Sequence, residues 1–549
     1  MMDRRELLKS SLLSCGVAVA NDALGAWLPP LVVRDGTASK DAIVETSFGT
    51  IRGAFANGVY SFKGIHYGAS TEPPKRFLPP TPAKPWTGVR DALEIGSPAP
   101  QDTELQLLVK VSELFGDLLG PGQMSENCLV LNVWTGGLRG PNKRPVMVWL
   151  HGGNYTSGSS GIPAYDGANL AAMHDVVVVG INHRLNVFGH LYLGAINAEQ
   201  YADSGNVGML DIILALQWVR ANIGHFGGNS DNVTIFGESG GGGKVSVLMA
   251  MPSAKGLFHK AIVESGSQLR ANSPDEAEAM ARNVLKQLNV TPDHIVDLQG
   301  IPMAEFIKAV HAMGDAAWDL GPVLDGRSLP RHPFDPDAPA VAAGVPMLIG
   351  TNGDEARLLG IVDDTLFSLN ESSMRTKLRA SLHLADDSKL NSLIAVYRRD
   401  LPNATPSDIY FAVMTDSGWR MDAITQAERK AAQRAAPAYT YLFEWRTPVL
   451  GGKLRALHGM DLPFVFDNVD KTPGWVGAGA DLKLLADKVS GAWTAFARTG
   501  NPNHAGLPHW PAYDTATRAT MIFNDECKAV NDPGKNERLA MSNLPQAQI

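Results

Sequence analysis

The stretch Val233-Thr-Ile-Phe-Gly-Glu-Ser-Gly-Gly-Gly-Gly-Lys244 predicts a short apolar strand that turns sharply into a glycine-rich helix. Gly237 and Gly241 flank Ser239 in the spacing G-x-S-x-G, which is typical of a nucleophile elbow, a turn that raises a serine hydroxyl above the edge of a sheet. The helix that follows would direct its free N–H groups toward that hydroxyl. Glycine makes up 55 of the 549 residues, so the pattern alone also fits an ordinary turn. A catalytic role therefore requires a base, an acid and an oxyanion loop elsewhere in the chain.

The composition is that of a globular protein with a large core, with 44% hydrophobic and 19% charged residues. The formal net charge is −8 and no long run of Lys or Arg occurs, so nucleic acid is not an expected partner. Beyond the N-terminal region, the sequence predicts no stable membrane span. The composition shows no break along the rest of the chain, which favours a single catalytic domain over residues 42–530.

The N-terminus resembles a twin-arginine export signal. Arg4-Arg5 precedes a modestly apolar run that ends in the small residues Ala18-Val-Ala20. We assign residues 1–26 to this signal, which predicts a periplasmic or secreted protein, and the cleavage site stays open. A basic helix that is retained and lipidation at Cys15 are the alternatives.

The predicted elements alternate between strands and helices. Continuous apolar runs at 145–150 and 176–181 are typical of strands that are buried on both faces of a parallel sheet. Further strands are predicted at 261–264, 346–349 and 438–445, a hairpin over 42–59, and helices at 168–174, 211–222 and 488–499. This order predicts an α/β fold with a large, mostly parallel mixed sheet and helices on both faces. Helical periodicity predicts insertions over 273–317 and 366–436, and the Pro- and aromatic-rich segment 60–92 predicts an ordered coil.

Segment 101–120 predicts an amphipathic helix. Its apolar stripe consists of Leu107, Leu108, Val111, Leu114, Phe115, Leu118 and Leu119. Such a stripe usually packs into a core, and the alternative is the wall or lid of a substrate pocket.

Three further segments carry the groups that a serine nucleophile needs. His151-Gly152-Gly153-Asn154 follows a predicted strand, where a glycine-containing loop can turn backbone N–H groups toward the oxyanion of a tetrahedral intermediate. In α/β-hydrolases the acid and then the base follow the serine along the chain. Gly350-Thr-Asn-Gly-Asp-Glu355 supplies two carboxylates at the end of a strand, and His458 lies in a glycine-flanked loop after a later strand.

With these segments in place, the chain resembles the type-B carboxylesterase family, which includes cholinesterases and bacterial para-nitrobenzyl esterases, and it is most similar to the bacterial type. The resemblance covers about residues 43–513. Besides the segments above, the matching stretches are Phe62-Lys-Gly-Ile-His-Tyr67, Pro85-Trp-Thr-Gly-Val-Arg-Asp91, Ser125-Glu-Asn-Cys-Leu-Val-Leu-Asn-Val-Trp134, Asn182-His-Arg-Leu185, Phe226-Gly-Gly228, Val263-Glu-Ser-Gly266, Asp461-Leu-Pro-Phe-Val-Phe466 and Thr499-Gly-Asn-Pro-Asn503. The resemblance implies an α/β-hydrolase fold.

The same resemblance implies a catalytic triad with Ser239 as the nucleophile, Glu355 as the acid and His458 as the base. Glu355 is preferred to Asp354 because the acid is the last residue of the family's N-x-D-E pattern. The oxyanion hole would consist of the backbone N–H groups of Gly153, Asn154 and Gly240. Glu238, beside the nucleophile, either tunes the protonation of the histidine or has a structural role. No cofactor and no metal are implied.

The chain departs from the family pattern in three places. Asn154 stands where the third glycine of H-G-G-G is usual, and it adds a side chain beside the oxyanion hole. Gly240 replaces the more common alanine, and we expect its N–H to be more open and more mobile. Cys128 matches a half-cystine of the eukaryotic members, but residues 97–101 contain no cysteine. We therefore expect Cys128 and Cys527 to be free, buried thiols.

The residues and the resemblance together predict a serine carboxylesterase that hydrolyses small to medium aromatic or aliphatic esters through an acyl-enzyme. A carbamate or amide hydrolase with the same triad is the alternative. A non-enzymatic binding protein on the same fold is disfavoured because all three triad residues are present. Segment 101–126 contains no tryptophan to stack on a cationic choline group, which disfavours a cholinesterase. The natural substrate and the oligomeric state stay open.

Overall fold

The computed structural model of the protein describes residues 38–116, 120–138, 143–385, 387–479 and 481–544. The predicted export signal at 1–26, including Cys15, lies outside the described residues. Leu118 and Leu119 of the predicted apolar stripe also lie outside them.

The described residues form one mixed sheet of 13 strands. The strands are β1 Ala38–Thr46, β2 Gly49–Ala56, β3 Val59–His66, β4 Val89–Asp91, β5 Val130–Thr135, β6 Arg144–Leu150, β7 Val177–Ile181, β8 Gly228–Glu238, β9 Lys260–Glu264, β10 Met347–Asn352, β11 Ala438–Phe443, β12 Ala519–Phe523 and β13 Lys528–Asn531. Their order is β1-β2-β3-β5-β7-β6-β8-β9-β10-β11-β12-β13, and β4 pairs with β2. The central strands from β7 to β12 run parallel, whereas β1, β2, β3, β5 and β7 pair antiparallel in turn, as do β12 and β13. The predicted α/β-hydrolase sheet is confirmed.

The helices occupy both faces of this sheet and the insertions. They are α1 Gln106–Phe115, α2 Ala168–His174, α3 Asn186–His190, α4 Ala198–Tyr201, α5 Val207–Asn222, α6 Gly240–Leu248, α7 Pro274–Gln287, α8 Met303–Ala312, α9 Leu359–Val362, α10 Glu371–Ser381, α11 Asp387–Asp400, α12 Pro406–Thr415, α13 Met421–Ala432, α14 Leu462–Val465, α15 Pro473–Val476, α16 Asp481–Thr499 and α17 Lys535–Ser542.

Strand β6 shows why the central strands are continuously apolar. Successive side chains of a strand point to opposite faces of the sheet. Val148 belongs to a core that includes Leu216 of α5, whereas its neighbour Trp149 belongs to a second core that includes Trp493 of α16. Both faces are thus covered by helices, which is the usual setting of parallel strands.

The two predicted helical insertions contribute to two further hydrophobic cores, which they share with neighbouring segments. The first begins at α7, where Ser273 and Glu276 form a reciprocal capping box and Pro274 occupies the first helical turn. Its core includes Phe306, and the core of the second insertion includes Phe411. The second insertion also contains a π-helical turn that the sequence pattern did not predict.

Several elements differ from the sequence prediction. The predicted coil 60–92 contains most of β3 and all of β4. Strand β3 was not predicted because the segment 60–92 as a whole is rich in proline and aromatic residues. In the structure it pairs with β2 and β5. At the other end, β13 and α17 extend past residue 530, and α17 packs against α11. Cys128 and Cys527 are both free, but Cys527 is partly exposed instead of buried.

Among the described residues, one helical stretch, Ala198–Phe226, is long and apolar enough to cross a membrane by length and composition. No membrane span was predicted there from the sequence. The apolar window is 67% buried inside the protein, and the stretch contains α5, which packs on the sheet. A buried core helix meets the same criteria, so the stretch is weak evidence for a membrane span.

Candidate active site

Ser239 lies at the turn between β8 and α6, where the nucleophile elbow was predicted. Its backbone adopts φ 57° and ψ −125°, a strained conformation of the kind that clusters at functional sites. The turn is tight because both flanking glycines approach the neighbouring strand. A Cβ on Gly237 would lie 2.6 Å from the carbonyl oxygen of Leu150, and a Cβ on Gly241 would lie 2.0 Å from it. Glycine at both positions is therefore a steric requirement of the elbow.

The loops after β10 and β11 bring Glu355 and His458 to this serine. His458 Nε2 lies 2.8 Å from Ser239 Oγ, and His458 Nδ1 lies 2.6 Å from Glu355 Oε2. Glu355 is fully buried, and its Oε1 accepts a hydrogen bond of 2.7 Å from the backbone N–H of Asn352. The structure thus brings together three predicted residues that are far apart in the chain. In this order a histidine can take the serine proton while a carboxylate holds the imidazole ring.

Asp354, the other candidate acid, faces different partners. Its Oδ1 lies 3.2 Å from Nε of Arg357 and 3.5 Å from a guanidinium nitrogen of Arg455. Of the two candidate acids, Glu355 is the one in contact with His458, as the family pattern preferred.

Glu238 lies between the histidine and the oxyanion loop. Its Oε1 is 3.2 Å from His458 Nε2, and a Cβ on Gly152 would lie 3.1 Å from its Oε2. The side chain is only 5% exposed. This distance is compatible with both alternatives for Glu238, a charge effect on the histidine and a structural role.

The loop that follows β6 lies against the elbow. Gly153 and Asn154 have φ values of 83° and 54°, in the left-handed region that glycine adopts freely and asparagine more readily than most residues. Asn154 Nδ2 donates a hydrogen bond of 2.8 Å to the carbonyl of Trp318. The side chain that distinguishes this loop from the family pattern therefore anchors the loop to Trp318, directly after the first insertion.

Gly240 is closely packed, so the space left by the missing methyl group is filled, and the openness of its N–H stays a prediction. The residue is buried at the start of α6. A Cβ at this position would lie 2.3 Å from Cα and the carbonyl oxygen of Asn154, and 2.4 Å from its nitrogen. The sequence shows only that the methyl group of the more common alanine is missing at position 240. In the fold, the backbone of Asn154 occupies the space that this methyl group would fill.

A second buried carboxylate, which the sequence analysis did not single out, lies near Glu355. Asp461 accepts hydrogen bonds from the Tyr441 hydroxyl at 2.9 Å and from Asn352 Nδ2 at 3.1 Å. Burial and then the negative charge of Glu355 raise the pKa of Asp461 to about 6. Asn352 contacts both carboxylates, through its side chain and its backbone N–H. Asn352 and Asp461 both occur in the quoted motifs, so the sequence marked their positions but not their contact.

Aromatic side chains surround the histidine loop. Trp419 lies on the π-helical turn that the sequence did not predict, and the centroid of its ring is 5.4 Å from that of His458. Trp475 donates a hydrogen bond of 2.7 Å to the carbonyl of Phe115, and their ring centroids are 5.0 Å apart. A Cβ on Gly459 would lie 3.7 Å from Trp475. The end of α1 therefore lies beside the histidine loop, while Leu108 and Val111 of the same helix are buried. Core packing is thus observed for part of the apolar stripe, and the wall or lid of a substrate pocket stays a prediction.

Two buried histidines near the oxyanion loop have the properties of packed imidazoles. The rings of His151 and His183 stack with centroids 4.9 Å apart and an interplanar angle of 7°. Burial and then the positive charge of Lys244 lower the pKa of His151 to about 3, so the ring is neutral at ordinary pH. In the part of the chain that the structure describes, no group of three or more His, Cys, Asp or Glu residues is arranged to hold a metal ion.

A serine elbow after a parallel strand, with a histidine, a carboxylate and a glycine loop at the same sheet edge, defines an α/β-hydrolase. The model of the carboxylesterase family matches residues 40–542. The chain therefore belongs to the carboxylesterase family, and it is a carboxylic ester hydrolase.

Known relatives resemble the chain over most of its length. Para-nitrobenzyl esterase of Bacillus subtilis (strain 168) is 37% identical over 505 residues, which cover 90% of this chain and 97% of the relative. Cocaine esterase of Homo sapiens is 34% identical over 522 residues, which cover 90% of each chain. A crystal structure of a Geobacillus stearothermophilus carboxylesterase is similar with a TM-score of 0.79 and 36% identity, and covers 91% of this chain and 100% of its own.

Proposed function

We propose that this carboxylesterase cleaves its substrates at Ser239, with His458 as the general base and acid and Glu355 as the residue that orients the histidine. The observation that carries the proposal is the pair of contacts made by one imidazole, 2.8 Å to the hydroxyl and 2.6 Å to the buried carboxylate. A general base must lie within hydrogen-bond reach of the proton that it removes, and this geometry meets that condition.

The reaction has two steps. In the first, Ser239 Oγ attacks the ester carbonyl carbon while its proton moves to His458 Nε2. The tetrahedral intermediate then collapses as the same proton passes to the departing alkoxide, which leaves an acyl-enzyme and a free alcohol. In the second, His458 removes a proton from water, the hydroxide attacks the acyl carbon, and the proton returns to Ser239 as the acid is released. Glu355 and Glu238 stabilise the imidazolium that forms in both steps.

The backbone N–H groups of Gly153, Asn154 and Gly240 bind the negative oxygen of each tetrahedral intermediate. The close packing of Gly240 on Asn154 supports this assignment because it keeps the loop and the start of α6 side by side. The N-terminus of a helix also carries the positive end of its dipole. Loss of one such donor typically lowers the rate about a hundred- to a thousand-fold.

The preferred substrates are esters with small to medium aromatic or aliphatic groups. Phe115, Trp419 and Trp475 lie around the histidine loop, and aromatic side chains favour apolar substituents. The relatives named for para-nitrobenzyl and cocaine ester cleavage support the same substrate class. Matched ester and anilide substrates test this preference against amide cleavage, and equal or faster anilide hydrolysis would overturn it.

The Ser239→Ala variant tests the mechanism. Hydrolysis of para-nitrophenyl butyrate is expected to fall by at least about a thousand-fold, because no other group replaces the nucleophile. Ser253→Ala, at an exposed serine in the next loop, serves as the matched control and is expected to keep wild-type activity. A Ser239→Ala protein as active as wild type would remove the mechanism.

We also propose that residues 1–26 export the enzyme to the periplasm or the medium, on the basis of the twin-arginine pattern. Replacement of both arginines, Arg4→Lys and Arg5→Lys, is expected to retain the enzyme in the cytoplasm. Esterase activity in fractionated cells measures the outcome. Export of the double variant at the wild-type level would reject the assignment.

A further inference from the structure

Lys244 is the fifth residue after Ser239, and its side chain on α6 is fully buried. Lysine is almost never fully buried unless its ammonium is paired. Here Nζ donates hydrogen bonds to the carbonyls of His151, at 3.0 Å, and Asn154, at 2.6 Å. It also lies 5.3 Å from the centroid of the Tyr155 ring. The partners of the ammonium therefore come from the oxyanion loop and the residue that follows it.

These two carbonyls are the first and the last of the loop 151–154. The carbonyls between them are also fixed, since that of Gly152 lies 2.9 Å from His151 Nδ1 and that of Gly153 accepts backbone N–H groups of the following turn at 3.2 and 3.0 Å. A trans peptide unit directs its N–H opposite its C=O. Fixing the carbonyls of Gly152 and Gly153 therefore also fixes the directions of the N–H groups of Gly153 and Asn154.

A loop with two successive glycines does not hold such directions by its own conformational preference, because glycine allows many backbone conformations. Lys244 ties both ends of the loop to the helix that begins with Gly240. The nucleophile at the start of this helix and the N–H groups that face it are then held as one unit. We propose that Lys244 is a positioning residue of the reaction, which presets the oxyanion loop against the elbow. This inference rests on the triad and the oxyanion hole proposed above.

The chain offers a matched control in Lys430 on α13. Its side chain is also fully buried, and its Nζ donates to the carbonyls of Ala342, at 3.2 Å, and Ala343, at 2.7 Å. It thus also binds two backbone carbonyls, besides the side-chain oxygen of Gln433 at 3.0 Å, but the carbonyls belong to a loop that contains no predicted site residue. If a loss of kcat reflects only the removal of a buried lysine, substitution of Lys430 lowers kcat as much as substitution of Lys244.

The experiment compares Lys244→Met and Lys430→Met in the full-length enzyme. The readouts are kcat and KM for para-nitrophenyl butyrate, the inhibition constant of an arylboronic acid that forms a tetrahedral anionic adduct with the serine, and the melting temperature. Lys244→Met is expected to lower kcat and boronic acid affinity by about 10- to 100-fold at nearly constant KM, because the loop acts on the tetrahedral state. Lys430→Met is expected to lower the melting temperature and to keep wild-type kcat. Lys244→Gln retains an N–H donor and is expected to recover part of the lost kcat.

Two results would overturn the proposal. One is a Lys244→Met enzyme whose kcat and boronic acid affinity stay within twofold of wild type, and the other is an equal loss of kcat in Lys430→Met. If Lys244→Met does not fold, Lys244→Gln decides by the same readouts, and wild-type values there overturn the proposal. Labelling with a fluorophosphonate separates this result from the mechanism itself. Failure to label Ser239 in the wild type contradicts the proposed triad, whereas normal labelling with an unaffected Lys244→Met contradicts only the role of the lysine.

Discussion

Replacing Gly240 with alanine, the residue that the family more commonly carries, is expected to impair this enzyme. The added methyl carbon would lie 2.3 Å from two backbone atoms of Asn154, and Cβ contacts under 3.0 Å are essentially never found, so the two backbones must separate by about 0.7 Å. Asn154 resists this movement because its side chain binds the Trp318 carbonyl and its own carbonyl binds Lys244. A displacement near 1 Å in a catalytic arrangement lowers the rate about 100-fold. We therefore expect a loss of kcat of about that size.

Steady-state kinetics on para-nitrophenyl butyrate measure the effect, with active enzyme counted by fluorophosphonate titration. KM is expected to change by less than about threefold, because an oxyanion hole binds the transition state more than the ground state. Gly243→Ala on the same helix is the control. Its Cβ would lie 2.8 Å from the side-chain oxygen of Gln268, which accepts a hydrogen bond from Tyr155, so the contact is with the end of a side chain and not with the oxyanion loop. This control is expected to keep kcat within twofold and to gain helix stability, since alanine is favoured over glycine by about 1 kcal/mol in a helix interior.

A Gly240→Ala enzyme with kcat within twofold of wild type would refute the packing argument. The double variant Gly240→Ala and Asn154→Gly tests the anchor separately. Glycine at position 154 removes the bond to Trp318 and frees the backbone. We expect the double variant to recover at least about tenfold of the kcat lost in the single variant. No recovery would show that the anchor of Asn154 does not hold the loop.

Three further outcomes follow from the structure. Glu355→Gln is expected to lower kcat about ten-thousand-fold at nearly constant KM, because an amide does not hold His458 in the required tautomer; steady-state kinetics check this, and a loss under tenfold contradicts it. The raised pKa of Asp461, about 6 against an ordinary 3.8, means that its contribution to stability is complete below pH 3.8 and is lost as the pH rises through about 6. The melting temperature of wild type is therefore expected to fall relative to that of Asp461→Asn over this range, and a constant difference would speak against it. Asp211→Ala leaves the buried guanidinium of Arg184 without its bidentate partner, and urea denaturation is expected to show a loss of about 3–5 kcal/mol; a loss under about 1 kcal/mol would be inconsistent with a structural ion pair.

Much of the fold was predictable because its signals are local. A strand buried on both faces carries a continuous apolar run, so β6, β7 and the first half of β10 were recognisable from sequence runs alone. Helical periodicity alone placed the two insertions, and the structure shows that the first begins at the capping box of Ser273. Strand β3 and the final elements β13 and α17 were missed because polar and apolar residues alternate in them without a clear period. Their formation depends on the elements that pair with them or pack on them. Whether such a segment forms a strand or helix depends on what pairs with it or covers it.

In the candidate site, too, some residues were predictable from local sequence patterns and others were found only in the tertiary structure. From the sequence, the elbow spacing and the order of strand ends marked Ser239, His458 and two carboxylates as candidates, and the family resemblance selected Glu355 over Asp354. Only the tertiary structure decided that Asn154 fills the space above Gly240, that Lys244 binds the oxyanion loop, and that Asp461 lies near Glu355. These contacts join residues from different elements. A sequence pattern records which face of an element is buried or where its backbone must turn, but the atoms that meet there are set by the packing of the whole chain.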